Sequence, residues 1–256
     1  MRPAFSSTVL LLCAFLGANA SRADATFRSG PARVSVIELY TSEGCSSCPS
    51  AEKWLGELRS DPGLWRQFVP VAFHVNYWDR LGWRDAFAKS EFTQRQYAYA
   101  DAWRSPSVYT PCFVRDGAEW RPRGTNAVAE ANPGDAGTLE LSWQPDGKCD
   151  VAFSSASNSR ETGNTFDVTI ALLGDGILSP IRAGENAGRE LRHEFVVLQL
   201  VSTPLARAGA DAWTARIVLR EPAGVARPPV TRRAIAAWIT PQGALAPVQA
   251  VGGWLP

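Results

Sequence analysis

Cys45 and Cys48 stand three residues apart in Cys45-Ser46-Ser47-Cys48. Two thiols at that spacing can close a disulfide and trade it with a thiol on another molecule. The loop they close is too short to stabilise a fold through chain entropy, so a purely structural role is weak. The flanking sequence suggests how they would be placed. Val34–Tyr40 is a short apolar, β-branched run and reads as a strand; Thr41–Gly44 reads as a turn. Pro49–Ser60 carries Trp54, Leu55 and Leu58 at helical spacing, with Pro49 in the first turn, where its missing N–H costs little. A helix start offers unpaired N–H groups and partial positive charge, which lower a thiol pKa from about 8.5. Cys45 is therefore expected to be the attacking thiolate and Cys48, one turn in, the resolving thiol.

A zinc or copper half-site is the competing use of such a pair. It needs two more ligands, and only Cys112, Cys149, His74 and His193 are available, with no second closely spaced pair. No metal and no organic cofactor are expected. His74 lies inside a strand-like run and reads as a core residue. With two histidines, neither near a nucleophile elbow, a Ser-His-Asp hydrolase is excluded.

The compartment decides how the other cysteines are read. Met1–Ala20 has a basic start at Arg2, an apolar run Val9–Leu16 and a small-x-small end, the pattern of a signal peptide cleaved after Ala20. The apolar run is too short to span a membrane. The expectation is a secreted or periplasmic protein in an oxidising compartment. Beyond Cys13, four cysteines remain. A Cys112–Cys149 structural disulfide would close 38 residues, worth about 4 kcal/mol by loop entropy; peripheral exchange and free thiols are the alternatives. The formal charge of +1, with 45% hydrophobic residues, gives no footprint for nucleic acid and supports a sizeable core.

Residues 33–133 read as strand, helix, strand, helix, strand, strand and a short helix at Asn126–Ala131, with Asp116-Gly117 as a hairpin turn. From residue 134 to 256, about seven alternating runs separated by Gly- and Pro-rich turns suggest an antiparallel module, sandwich-like and packed on the first unit. The expected fold class is α/β followed by all-β. Between the second strand and the second helix, Tyr77, Trp78, Leu81, Trp83 and Phe87 form an aromatic loop. It reads as cover for the sheet, with a substrate groove at Tyr77, Trp78 and Trp83 as the functional alternative. The Gly184–Arg189 turn reads as a tight structural loop, with an anion site as its alternative.

The stretch IELYTSEGCSSCPSAE and the later Thr110-Pro111 resemble the thioredoxin superfamily, with a glutaredoxin-like turn. Together with HVNYWDRLGWRDAFAKSEFTQRQYAYA, VYTP and GENAGRELRHEFVV, the chain is similar to a bacterial family of secreted thioredoxin-like proteins labelled a domain of unknown function, over about residues 33–254. The resemblance implies a thioredoxin-like fold for the first unit, Cys45 and Cys48 as the redox pair, Thr110 preceding a cis Pro111, and Glu38 as a buried acid relaying a proton to Cys48; a strand-end carboxylate in water or paired with arginine is the equal alternative for Glu38. It implies mixed-disulfide exchange with a protein thiol or disulfide and a redox partner protein. The chain departs from the family at Cys112, where Gln usually follows the Thr-Pro. The rival reading is a non-catalytic binding module for a protein, copper or zinc, with a structural or sensing disulfide.

Overall fold

A computed structural model of the chain describes residues 24–122, 134–156, 165–221 and 227–256. The segment 1–20 with Cys13 and the helix expected at 126–131 lie outside these. The first strands and helices are β1 (Ala25–Arg28), β2 (Ser35–Thr41), α1 (Cys48–Glu57), β3 (Phe68–His74) and α2 (Ser90–Trp103). A hairpin follows, β4 (Cys112–Arg115) and β5 (Ala118–Trp120). Its turn residues Asp116 and Gly117 both have positive φ, 51° and 87°, as a tight two-residue turn requires. The rest is β: β6 (Thr138–Trp143), β7 (Lys148–Ser154), β8 (Phe166–Asp175), β9 (Ile177–Pro180), β10 (Glu190–His193), β11 (Val196–Pro204), β12 (Ala206–Arg207), β13 (Ala212–Val218), β14 (Arg232–Pro241) and β15 (Gln249–Trp254).

These strands do not sort into the two architectures expected. One eight-stranded sheet runs β15-β14-β8-β11-β3-β2-β4-β5, drawing strands from both sides of residue 134. A five-stranded sheet runs β1-β6-β7-β13-β12, and β9 pairs with β10 in a two-stranded ribbon. The expectation of a thioredoxin-like α/β domain followed by a separate all-β module is thereby overturned. Strands make up 44% and helix 14%, with two α-helices among the described residues. The joint lies at β3. Its free edge is taken by β11 in parallel, Val196 opposite Ala72, with the Ala72 N–H donating to the Phe195 carbonyl at 2.8 Å. An apolar strand edge left open would be a site for aggregation, and here a distant part of the same chain occupies it.

Two-residue alternation explains the layering. On β14, Ile235, Ala237 and Ile239 face the five-stranded sheet and pack with Leu141, Phe153, Ile170 and Trp213. Ala234, Ala236 and Trp238 face the other way, with Val71, Phe73, Phe92 and Tyr99. On β2, Ile37 and Leu39 pack with Ala51 and Leu55 of α1, whereas Tyr40 joins the opposite face with α2. Strands β2 and β3 are buried throughout because both faces are covered.

Candidate functional site

At the C-terminal end of β2 the chain turns on Ser42, whose carbonyl accepts from the Cys45 N–H at 3.1 Å and whose Oγ accepts from the Gly44 N–H at 3.1 Å. Helix α1 then starts at Cys48, with Pro49 in its first turn and Ser50 Oγ donating to the Ser47 carbonyl. Cys45 and Cys48 are joined by a disulfide, Cα–Cα 5.5 Å. Both are 0% exposed, although Ser46 and Ser47 between them are exposed. Cys45 Sγ lies 3.3 Å from Ser47 Oγ.

Two neighbours hold this turn. The first is the connection from β9 to β10. Asn186 Nδ2 donates to the carbonyls of Glu43 and Cys45 at 2.8 and 2.9 Å, and Glu185 accepts from the Ser46 N–H at 3.0 Å. Arg189 in turn donates to Asn186 Oδ1 at 2.6 Å. The Gly184–Arg189 turn is thus a clasp on the Cys45–Cys48 turn. The second neighbour is Trp78. A Cβ added at Gly44 would stand 3.0 Å from the Trp78 Cβ, so Gly44 allows the close approach. Trp78 Nε1 donates to Thr110 Oγ1 at 2.8 Å. It links the disulfide turn to the Thr110–Pro111 peptide bond, which is cis. Tyr77, half-buried, donates to Gln96, which donates to the Tyr109 carbonyl. Trp83 Nε1 donates to Glu43 Oε2 at 2.7 Å. All three aromatic residues therefore spend polar or apolar surface on the turn and on α2.

Glu38 does not serve Cys48. It lies on the face of β2 away from α1, where Arg95 donates two hydrogen bonds of 2.8 Å to its two oxygens. Tyr40 and Tyr99 hydroxyls donate at 2.8 and 2.6 Å. Its acceptor positions are filled, and burial together with the Glu38 charge pushes both tyrosines well above their usual range. The Cys112–Cys149 bridge is also absent: both are buried free cysteines. Cys112, on β4, packs in the core with α2, and Cys149, on β7, packs between the sheets. Residues in different layers cannot approach to the 4.4–6.8 Å that a bridge needs without moving a strand. Burial pushes the Cys112 thiol up to about 11 and that of Cys149 to about 12.

Sequence reading gave His74 as a core residue, which it is, and passed over the carboxylates Glu43, Glu52 and Asp85 and the joining of both histidines with them around this turn. The buried face of α1 is Cys48, Ala51, Glu52 and Leu55, so Glu52 sits in an apolar stripe, the one local sign of its role. Thr41 Oγ1 donates to Glu52 Oε1 at 2.6 Å, and His193 Nδ1 makes a short hydrogen bond with Glu52 Oε2. His193 Nε2 lies 3.2 Å from Glu43 Oε1. His74 Nδ1 lies 2.7 Å from Asp85 Oδ2, which also accepts from the Glu43 N–H. The two rings sit edge to face, centroids 5.1 Å apart. Burial works against a charged His193, but the Glu52 carboxylate and the hydrogen bonds to Glu43 and Glu52 outweigh it and lift it to about 10. Burial likewise opposes charge on His74, and Asp85 outweighs it, raising His74. The same partners hold Glu52 and Asp85 ionised against burial. The arrangement can store protons or hold a cation.

Two solved structures share the overall architecture. A structural-genomics protein of Agrobacterium tumefaciens is 20% identical, with a TM-score of 0.61 over 88% of this chain and 95% of that one. HBP35 of Porphyromonas gingivalis is 15% identical, with a TM-score of 0.62 over 89% of this chain and 76% of that one. No curated protein matches the chain. Residues 36–235, a span that contains the disulfide turn, α2, the cis proline and the clasp, match the model of one family, and the chain belongs to that family, Protein of unknown function (DUF1223).

Proposed function

We propose that the protein is an exported thiol–disulfide oxidoreductase working through Cys45 and Cys48. The observation that carries this reading is the disulfide at the first turn of α1, linked through Trp78 to a cis Thr110–Pro111. The export part rests on residues 1–20 alone. Kinship with the thioredoxin superfamily is, on this reading, confined to that turn and that proline. In the oxidising direction, a substrate thiolate attacks one sulfur of the pair, and the other leaves as a thiolate. A second substrate thiolate then attacks the mixed disulfide and releases the dithiol, so the substrate loses two electrons and the pair gains them. The reverse sequence reduces a substrate disulfide. Either direction needs the folded turn to open, because both cysteines are fully covered; loss of the Glu185 and Asn186 hydrogen bonds is the route the clasp offers.

That same burial favours one rival, a binding module whose disulfide is structural or sensing. Equilibration of the purified protein against glutathione buffers, read by trapping thiols, separates the two. A potential between roughly −120 and −270 mV supports exchange, whereas a value well below about −300 mV supports the rival.

A further inference from the structure

We infer that Glu52, His74 and His193 form a buried site for one divalent transition-metal ion of borderline softness, of which zinc is the representative. This goes beyond thiol exchange and uses neither sulfur.

Among the described residues, these three offer one ligand atom each, all within 4.8 Å of one another. Each is held from behind on the atom it would not use. His74 Nδ1 is taken by Asp85, whose other oxygen accepts from the Phe87 N–H at 2.9 Å. This leaves Nε2 as the ligand, and Nε2 is a fully buried nitrogen with no hydrogen-bond partner. His193 Nε2 is taken by Glu43, leaving Nδ1 toward Glu52 Oε2. Glu52 Oε1 is taken by Thr41, leaving Oε2. A carboxylate behind each ligating imidazole is the arrangement that orients metal-bound histidines and raises their basicity. A buried imidazole nitrogen without a partner is costly, and a metal bond is one way to satisfy it.

Charge points the same way. Three carboxylates, Glu43, Glu52 and Asp85, share one interior pocket with two imidazoles, and none is more than 6% exposed. Ligand atoms bound about 2.1 Å from a tetrahedral ion stand about 3.4 Å apart. The ion takes the place of the proton between His193 and Glu52, the two side chains moving apart to admit it, and that proton leaves to solvent. Two histidines and one carboxylate make a three-ligand zinc set that keeps a fourth position for water. Glu52 also stands in the wall of a cleft of about 420 Å³ between α1 and β10.

The test uses oxidised protein stripped with a chelator and titrated with cobalt(II), read by its visible ligand-field bands, then challenged with zinc. Cobalt is added both to folded protein and during refolding. One equivalent per chain, displaced by zinc, is expected. His74→Gln should weaken binding at least 100-fold. Asp85→Asn, which only repositions His74, should weaken it 10- to 100-fold, and Cys45→Ser/Cys48→Ser should leave it unchanged. Far-UV circular dichroism identifies which variants are folded. The inference is overturned if the wild type takes up no cobalt by either route, if a folded His74→Gln binds as tightly as wild type, or if the double cysteine variant loses the ion.

Discussion

Replacing Glu38 with alanine should cost several kcal/mol of stability and leave the disulfide untouched. The side chain is 1% exposed and receives four hydrogen bonds, two from Arg95, which is itself only 15% exposed. Truncation strands the guanidinium in the interior, a change that typically costs 3–5 kcal/mol. It also removes the acceptor of the Tyr40 hydroxyl, the only one among the described residues, at about 1–3 kcal/mol; Tyr99 keeps the Leu245 carbonyl at 3.3 Å. The expected loss is therefore about 4–8 kcal/mol, a large part of the 5–15 kcal/mol that holds a typical protein. Glu38→Gln, which keeps an acceptor oxygen and loses the charge, should cost about half as much. Adding Arg95→Met to Glu38→Ala should recover about 2 kcal/mol by removing the stranded charge. Urea unfolding at pH 7 reads all four proteins. In parallel, the Cys45–Cys48 potential of Glu38→Gln should stay within about 10 mV of wild type, because Glu38 and α1 lie on opposite faces of β2. A loss below about 1 kcal/mol for Glu38→Ala would refute the network as a structural element. A potential shift above about 30 mV, or 1.4 kcal/mol, would restore Glu38 as a partner of the disulfide.

Three further outcomes are expected. A chain lacking residues 1–20, oxidised and native, should show no rapid reaction with a thiol reagent at pH 8 and two reactive thiols after unfolding; none after unfolding would reinstate the Cys112–Cys149 bridge. Asp175, 1% exposed, is lifted to about 8 by burial and by Glu194, with Arg59 opposing. Its folded pKa lies above the unfolded one, so its contribution is complete below about pH 4 and is lost as pH rises toward 8. The slope is about 1.4 kcal/mol per pH unit. Asp175→Asn should flatten the pH dependence of urea stability over that window, and parallel curves would contradict the assignment. Asn186→Ala removes the donor shared by the Glu43 and Cys45 carbonyls; reduction of the disulfide by dithiothreitol should speed up about tenfold, and an unchanged rate would show that the clasp does not limit access.

Local pattern was enough for the elements around the disulfide. The apolar run before Cys45, the helical spacing of Trp54, Leu55 and Leu58, and the Asp116-Gly117 turn each act over a few residues. The joining of the sheet was not legible, because an all-apolar strand such as β3 states that both its faces are buried and leaves its edge partners unspecified. Only Val196 opposite Ala72 reveals that β11 takes that edge. The buried histidine–carboxylate cluster was missed for a similar reason. Glu52 and His193 are 141 residues apart. The trace it did leave was small: on β10, Leu191 and His193 are buried while Glu190 and Arg192 are exposed, which puts a histidine at an inward position. For Glu38 the sequence left a proton relay and a carboxylate paired with arginine equally open, and it was Arg95, 57 residues away, that decided for the second.

Asn186 follows Cys45 by 141 residues, and that separation sets an order of events during synthesis. At about 5–20 residues per second, the two cysteines emerge roughly 7–28 s before the residue that will seal them. Throughout that interval the turn lacks the side chains that bond the Glu43 and Cys45 carbonyls and the Ser46 N–H. Only once the β9–β10 connection has been made can the turn take the backbone hydrogen bonds that hold it in the folded protein. The final shape of the disulfide turn is therefore set late, by a segment far along the chain from it.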